Sequence, residues 1–101
     1  MSSEKPQIPN SLNEHWMPFT SNRDFKQTPR LIVEAKGVYL KNHQGQTQID
    51  ASSGLFCNPL GHGREEIINA ITNQLKKLDY AQPFQQGFGG SFELATKISK
   101  H

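Results

Sequence analysis

The sequence has little of several features that define broad classes of protein. Its one cysteine, Cys57, excludes an internal disulfide and a zinc site built from cysteines. Hydrophobic residues make up 34% of the 101 residues, apolar runs are only a few residues long, and the N-terminus has no apolar core of a signal peptide. These absences predict a soluble, cytoplasmic chain with no membrane partner and at most one small domain.

Neither sign of charge dominates the sequence. Eleven Lys and Arg residues oppose nine Asp and Glu residues, and the basic residues are scattered along the chain. A nucleic-acid-binding face needs clustered positive charge, so no nucleic acid partner is predicted. Because folding hides only about 60–68% of the surface of so short a chain, we do not expect a stable core formed by this chain alone.

Turn residues and apolar runs divide the first half of the chain into a tail and a sheet. Residues 1–10 carry two prolines and no apolar periodicity, which predicts a disordered tail. Ser11 and Glu14 have the spacing of a capping box, so a short helix that Pro18 would end is predicted after Ser11. Short apolar runs separated by polar turns predict an antiparallel meander over residues 31–33, 38–40 and 47–49.

The second half of the sequence has the period of amphipathic helices. An apolar stripe predicts a helix over residues 64–78, with acidic residues in its first turn and lysines in its last. The stripe consists of Ile67, Ile68, Ile71, Leu75 and Leu78. Residues 79–90 are predicted to be an irregular, aromatic connection. A further helix is predicted from Ser91, with its apolar pattern still running at His101.

The reactive side chains do not form a complete catalytic centre in the sequence. The four histidines lack the spacing with which a helix face presents metal ligands, so no metal site is predicted. Cys57 could be a nucleophile if His62 activated it, but burial as a small apolar side chain is the favoured interpretation. Gly61-His62-Gly63 before a helix could attract an anion, whereas two structural glycines that permit a tight turn are favoured. No lysine has the apolar surroundings that a Schiff-base lysine needs.

Four motifs in order resemble the N-terminal part of the class III aminotransferases. The motifs are His15-Trp16-Met17-Pro18-Phe19-Thr20, Pro29-Arg30-Leu31-Ile32-Val33 followed by Lys36-Gly37-Val38-Tyr39-Leu40, Ile49-Asp50-Ala51-Ser52-Ser53-Gly54-Leu55-Phe56, and Gly61-His62 before a helix. This family consists of pyridoxal-phosphate-dependent enzymes of fold type I. The resemblance covers about residues 11–100 and is greatest to the omega-amino-acid:pyruvate (beta-alanine:pyruvate) group.

The resemblance implies an α+β fold in which the chain is the N-terminal segment of the enzyme's small domain. Residues 11–79 would belong to that domain, as a short antiparallel meander followed by an amphipathic helix packed on it. Residues 80–101 would be an aromatic loop and the start of an unfinished second helix, which leads to a large domain that the sequence does not contain.

The resemblance also implies which residues serve the enzyme. Phe19, Leu55 and Phe56 would line the substrate side of the cofactor, and Phe84 would reach into the neighbouring active site of a homodimer. Phe56 stands where relatives commonly have tryptophan, which would alter the amines accepted. The groups that hold pyridoxal phosphate would lie outside this chain, so we expect neither specific cofactor binding nor transamination by the chain alone.

Two alternatives stay open at this point. By residue physics alone, Phe19 and Leu55 could simply pack in a core. The whole chain could instead be a non-catalytic interaction module or relic, which docks on an aminotransferase-like partner through its apolar helix and hairpin.

Overall fold

The computed structural model describes residues 8–101, which divide into a first unit that ends at Arg64 and a second unit, Glu65–His101. The predicted disordered tail therefore lies largely outside the described residues. Helices and strands together confirm the predicted α+β composition. In chain order they are α1 (Asn22–Gln27), β1 (Ile32–Lys36), β2 (Tyr39–Asn42), β3 (Thr47–Ile49), α2 (Ser53–Phe56), α3 (Glu65–Lys77) and α4 (Gly89–Ser99).

The first unit contains a three-stranded antiparallel sheet in the order β1-β2-β3, which confirms the predicted meander. Gly37 connects β1 to β2 with a φ of +60°, and Gly45 lies in the loop before β3 with a φ of +84°. Glycine adopts such left-handed φ values without the steric cost that a Cβ brings. The two breaks predicted from the sequence are thus turns in the structure.

The segment before the sheet differs from the prediction. The helix predicted after Ser11 does not form, so that prediction is wrong. The Ser11 hydroxyl does donate to the Glu14 carboxylate at 3.2 Å, but the backbone forms only a turn there. The side chain of Asn10 accepts the Leu12 N–H at 2.8 Å, and Leu12 has a φ of +63°. This local side-chain bond competes with helix formation, and a left-handed residue cannot belong to an α-helix.

The helix forms later, at α1, where none is predicted from the sequence. Ser21 precedes the helix, and its hydroxyl donates to the Asp24 carboxylate at 2.9 Å. Ser21 and Asp24 have the capping spacing of Ser11 and Glu14, so the signal was present in the sequence. Asn22 and Phe25, one turn apart on α1, are the only buried residues in the described part of the chain.

The second unit consists of two helices and the irregular segment between them. α3 confirms the helix predicted over residues 64–78, and its apolar stripe is 36–58% exposed. α4 confirms the last predicted helix but begins at Gly89 rather than Ser91. Residues 78–88 are irregular, as predicted. In the described residues, each helix is too short or too polar to cross a bilayer. The predicted division into a small-domain segment, residues 11–79, and a loop with a second helix, residues 80–101, stays a prediction.

Candidate functional site

All four predicted pocket residues are strongly exposed. The exposed fractions are 110% for Phe19, 83% for Leu55, 86% for Phe56 and 76% for Phe84. Phe19 and Leu55 are therefore not packed in a core formed by residues 8–101, and their place in a pocket stays a prediction. Phe19, Leu55 and Phe56 belong to the first unit, and Phe84 belongs to the second.

Phe19 lies on a tight turn that one buried carboxamide closes. Phe19 has a φ of +48°, which is uncommon for a residue with a bulky side chain. The Asn22 side chain, in a residue only 4% exposed, accepts the Met17 N–H at 2.9 Å. Its amide group donates to the carbonyls of Met17 and Thr20, each at 3.0 Å. Asn22 thus binds both backbone groups of Met17 and fixes the ends of this Phe19 turn (residues 17–22).

Leu55 and Phe56 lie on a second turn with more backbone strain, which we call the Leu55 turn (residues 50–56). It includes α2, whose backbone angles are not those of a regular α-helix. Ser53, Gly54 and Phe56 have φ values of +52°, +68° and +59°. A non-glycine residue in this region costs about 1–3 kcal/mol, so the surrounding contacts must stabilise the turn. The Asp50 carboxylate provides such contacts, because its two oxygens accept the Gly54 N–H at 2.8 and 3.0 Å.

His62 connects the Leu55 turn to the sheet. Its Nε2 lies 2.7 Å from Asp50 Oδ2, and the Asn58 amide donates to its Nδ1 at 2.8 Å. Because Nδ1 accepts a hydrogen bond, the ring proton lies on Nε2 and is donated to the carboxylate. The backbone of His62 pairs with Gly37 through two hydrogen bonds of 2.8 and 2.9 Å.

The glycines beside His62 are structural, as the sequence analysis favoured. Gly61 has a φ of +88° and Gly63 a φ of +69°. A Cβ at Gly61 would lie 3.3 Å from the carbonyl oxygen of Gly37, a tight contact that would push the Gly37 backbone away by a few tenths of an ångström. The close approach of these two backbones is what permits the bridge between Gly37 and His62.

The surroundings of Asp50 favour its ionised form. The side chain is only 6% exposed. The hydrogen bond from His62 is the largest influence and lowers the pKa of Asp50 below its ordinary value of 3.8. Burial opposes this effect, whereas the Gly54 N–H adds to it. The turn is therefore held by a carboxylate rather than by a carboxylic acid at neutral pH.

Phe84 lies in the irregular segment between α3 and α4. Gln85, which follows it, has a φ of +61°. The side chain of Gln82 donates to the Phe84 carbonyl at 3.4 Å, a long hydrogen bond between exposed groups. Tyr80 is exposed along with Phe84.

The structure corrects the prediction for Cys57, whose side chain is exposed rather than buried. The activating contact that a nucleophile would need is also missing in this conformation, because the two ring nitrogens of His62 bond Asp50 and Asn58. Among residues 8–101, no group of three or more His, Cys, Asp or Glu side chains could hold a metal ion.

Sequence reasoning missed the polar side chains that shape the two turns, Asn22 and Asp50. Each has a local signal. Asn22 follows a proline-containing turn and begins α1, and Asp50 directly follows β3, four residues before a glycine. Asx side chains at such places commonly capture nearby backbone N–H groups.

Comparisons with known proteins define the family. The model of the family "Aminotransferase class-III" matches residues 20–97. The chain belongs to the class III aminotransferases, which confirms the resemblance found in its motifs.

Two relatives specify the likeness further. The chain is 46% identical over 89 residues to a beta-alanine–pyruvate aminotransferase of Pseudomonas aeruginosa, which covers 88% of the chain. It is 48% identical over 88 residues to an omega-amino acid–pyruvate aminotransferase of Pseudomonas putida, which covers 87% of it. The matched segment is 20% of each relative, so the chain spans about a fifth of their length.

Solved structures agree with this family assignment. An (S)-enantioselective omega-transaminase from Thermomicrobium roseum superposes with a TM-score of 0.78 at 25% identity. An adenosylmethionine-8-amino-7-oxononanoate aminotransferase from Methanocaldococcus jannaschii gives the same TM-score at 33% identity. Each match covers 85% of this chain and 20% of the solved chain.

Proposed function

We propose that this chain forms part of an omega-amino-acid:pyruvate aminotransferase, which transfers an amino group from an omega-amino acid or amine to pyruvate. The observation that carries the proposal is the identity of 46% and 48% with two relatives named for these substrates. Because the chain spans about a fifth of those relatives, its contribution would be one side of the substrate pocket rather than the complete site.

The exposed side chains of the two turns would form that pocket wall. Phe19, Leu55 and Phe56 offer apolar surface at fixed backbone positions, as a pocket for an aliphatic amine requires. Phe84 would reach into the active site of the partner subunit in a homodimer. Its high exposure supports this role, since a side chain that meets another subunit is uncovered in the single chain.

Class III aminotransferases use pyridoxal phosphate, but residues 8–101 do not fit the anchoring of that group. No lysine among them is buried, and two are already bound: Lys26 to the Asn13 carbonyl at 3.2 Å, and Lys41 to Glu34 at 3.6 Å. α3 begins with Glu65 and Glu66, whose charge would repel a phosphate at the helix start. We therefore propose that these residues shape the pocket and that the cofactor is anchored by other parts of the enzyme.

A segment exchange tests the proposal. The matched 89 residues would replace the corresponding segment of the Pseudomonas aeruginosa beta-alanine–pyruvate aminotransferase. We expect this chimera to bind pyridoxal phosphate and to convert beta-alanine and pyruvate. We also expect that the 101-residue chain alone shows no turnover and no single lysine adduct after borohydride treatment. A folded chimera that binds the cofactor but converts no omega-amino acid would contradict the proposal.

The exposed apolar stripe of α3 favours one alternative, the non-catalytic module that docks on an aminotransferase-like partner. Size-exclusion chromatography of the 101-residue chain mixed with the intact relative distinguishes the two proposals. Co-elution with the relative together with an inactive chimera would favour the module. An active chimera without co-elution would favour the enzyme segment.

A further inference from the structure

The Leu55 turn has little apolar packing to hold its shape. Leu55 and Phe56 are 83% and 86% exposed, so burial of their side chains contributes little to the conformation. Ser53 and Phe56 nevertheless adopt left-handed backbone angles that disfavour side chains. The conformation must therefore be held by polar contacts of the turn itself.

The Asp50 carboxylate supplies the central contact. Both of its oxygens lie within 3.0 Å of the Gly54 N–H, in the middle of the strained residues and directly before Leu55. The Ser52 hydroxyl donates to the Gly54 carbonyl at 2.8 Å, so both backbone groups of Gly54 are bound. Fixing this glycine fixes the direction in which the chain leaves toward Leu55 and Phe56.

His62 orients the carboxylate in turn. It donates to Asp50 Oδ2 at 2.7 Å, and Asn58 holds the opposite nitrogen of the ring. The His62 backbone is paired with Gly37 at the end of β1. A continuous series of hydrogen bonds therefore leads from the sheet, through His62 and Asp50, to the Leu55 turn.

We infer that Asp50, oriented by His62, is a positioning residue that determines substrate preference by holding Leu55 and Phe56 in the pocket wall. The inference rests on the proposed function, since it needs these side chains to face the substrate. Pocket groups displaced by about 1 Å can change rates by orders of magnitude, so a carboxylate that touches no substrate can still set specificity. The sheet should survive its loss, because Asp50 joins the sheet through its backbone N–H, which donates to the Val38 carbonyl.

The test measures substrate preference in the chimera. Asp50→Ala, Asp50→Asn and His62→Ala would be compared with the control Asp79→Ala. Asp79 is also an aspartate that accepts a backbone N–H, that of Tyr80 at 2.9 Å, but it is exposed and contacts no histidine. The readout is the ratio of kcat/KM for beta-alanine to that for a bulky aryl-alkyl amine, 1-phenylethylamine.

We expect Asp50→Ala to change this ratio about tenfold, with the pyridoxal phosphate content unchanged. Asp50→Asn should change it less, because one carboxamide oxygen can still accept the Gly54 N–H. Asp79→Ala should leave it unchanged. Equal ratios in Asp50→Ala and the unsubstituted chimera would overturn the inference and leave the proposed function intact. An unsubstituted chimera without activity would overturn the proposed function instead.

A second measurement decides whether Asp50 positions the turn, whatever the chimera does. In the 101-residue chain, amide hydrogen exchange of residues 54–56 should be at least about tenfold faster in Asp50→Ala, with the β2 amides unchanged. Uniform acceleration across the sheet would show that Asp50 merely stabilises the first unit. No acceleration at residues 54–56 would show that Asp50 does not hold the turn.

Discussion

The Leu55 turn and the segment around Phe84 make an instructive comparison. Both carry exposed apolar side chains that are proposed to serve substrate binding, and both contain non-glycine residues with left-handed φ values, Phe56 and Gln85. The Leu55 turn is held by a carboxylate that is 6% exposed and hydrogen-bonded to a histidine. The Phe84 segment has a long, exposed hydrogen bond from Gln82.

The difference shows two ways of building a pocket wall. Hydrogen bonds to a shielded carboxylate are stronger than exposed neutral ones, so the Leu55 turn is shaped within its own unit. The Phe84 segment has no such support in the described part of the chain. We expect its shape to be set by the surface that it meets in the proposed homodimer, and the following variants test this contrast.

The largest effect is expected from Gly61→Ala, which should separate His62 from the sheet. The new Cβ would meet the Gly37 carbonyl oxygen at 3.3 Å, and the φ of +88° would strain any residue with a side chain. Together these should cost about 1–3 kcal/mol locally. Amide hydrogen exchange at Gly37 and His62 should become faster by a corresponding factor. The exchange rates in the Leu55 turn should rise toward those of residues 80–88.

Gly89→Ala is the matched control for this variant. Gly89 begins α4, a Cβ there would meet nothing within 4 Å, and its φ is not left-handed. Alanine is the better helix former by about 0.5–1 kcal/mol, so α4 should become slightly more protected. Equal changes in the amide exchange rates of the Leu55 turn in both variants would show that the bridge between Gly37 and His62 does not hold this turn.

A smaller effect is expected from pH, and its sign follows from the pKa of Asp50. Because the folded state lowers this pKa below 3.8, the stabilisation by the ionised carboxylate is complete above the unfolded value. It is lost as the pH falls through the lowered folded value. The protection of the Gly54 amide, relative to that of residues 80–88, should therefore decrease only below pH 3.8.

His62→Ala should raise the pKa of Asp50, because the hydrogen bond from His62 is the largest cause of the lowered value. The loss of Gly54 protection should then be smaller and should be complete at a higher pH. Titration of the Asp50 carboxyl carbon by NMR measures both pKa values. An unchanged midpoint in His62→Ala would show that His62 does not stabilise the carboxylate.

The elements that local periodicity determines were predictable from the sequence. The stripe of α3 repeats at helical spacing, and the strands are separated by polar turns with glycine, so both were predicted with small errors of length. α1 was missed because Phe25 is the one apolar residue among its six, which leaves no stripe to detect.

The polar connections of the site could not be predicted in the same way. His62 is twelve residues from Asp50, and a sequence pattern does not show which distant side chain a carboxylate will meet. The exposure of Phe19 and Leu55 was equally hidden, because an apolar residue looks the same in sequence whether it fills a core or faces a ligand. Only the family resemblance assigns these residues to a pocket, and that assignment stays a prediction.

The smallest effect is expected from Gln82→Ala, which removes the side chain that contacts the Phe84 carbonyl. That hydrogen bond is 3.4 Å long and exposed, and such contacts contribute less than about 0.5 kcal/mol. Amide exchange of residues 80–88 in the 101-residue chain should therefore change by less than about twofold, far less than residues 54–56 change in Asp50→Ala. In the dimeric chimera the same segment should exchange more slowly than in the 101-residue chain, because the partner subunit would cover it. Strong protection of Phe84 in the 101-residue chain, lost in Gln82→Ala, would mean that this segment is also shaped from within, and the contrast between the two parts of the wall would disappear.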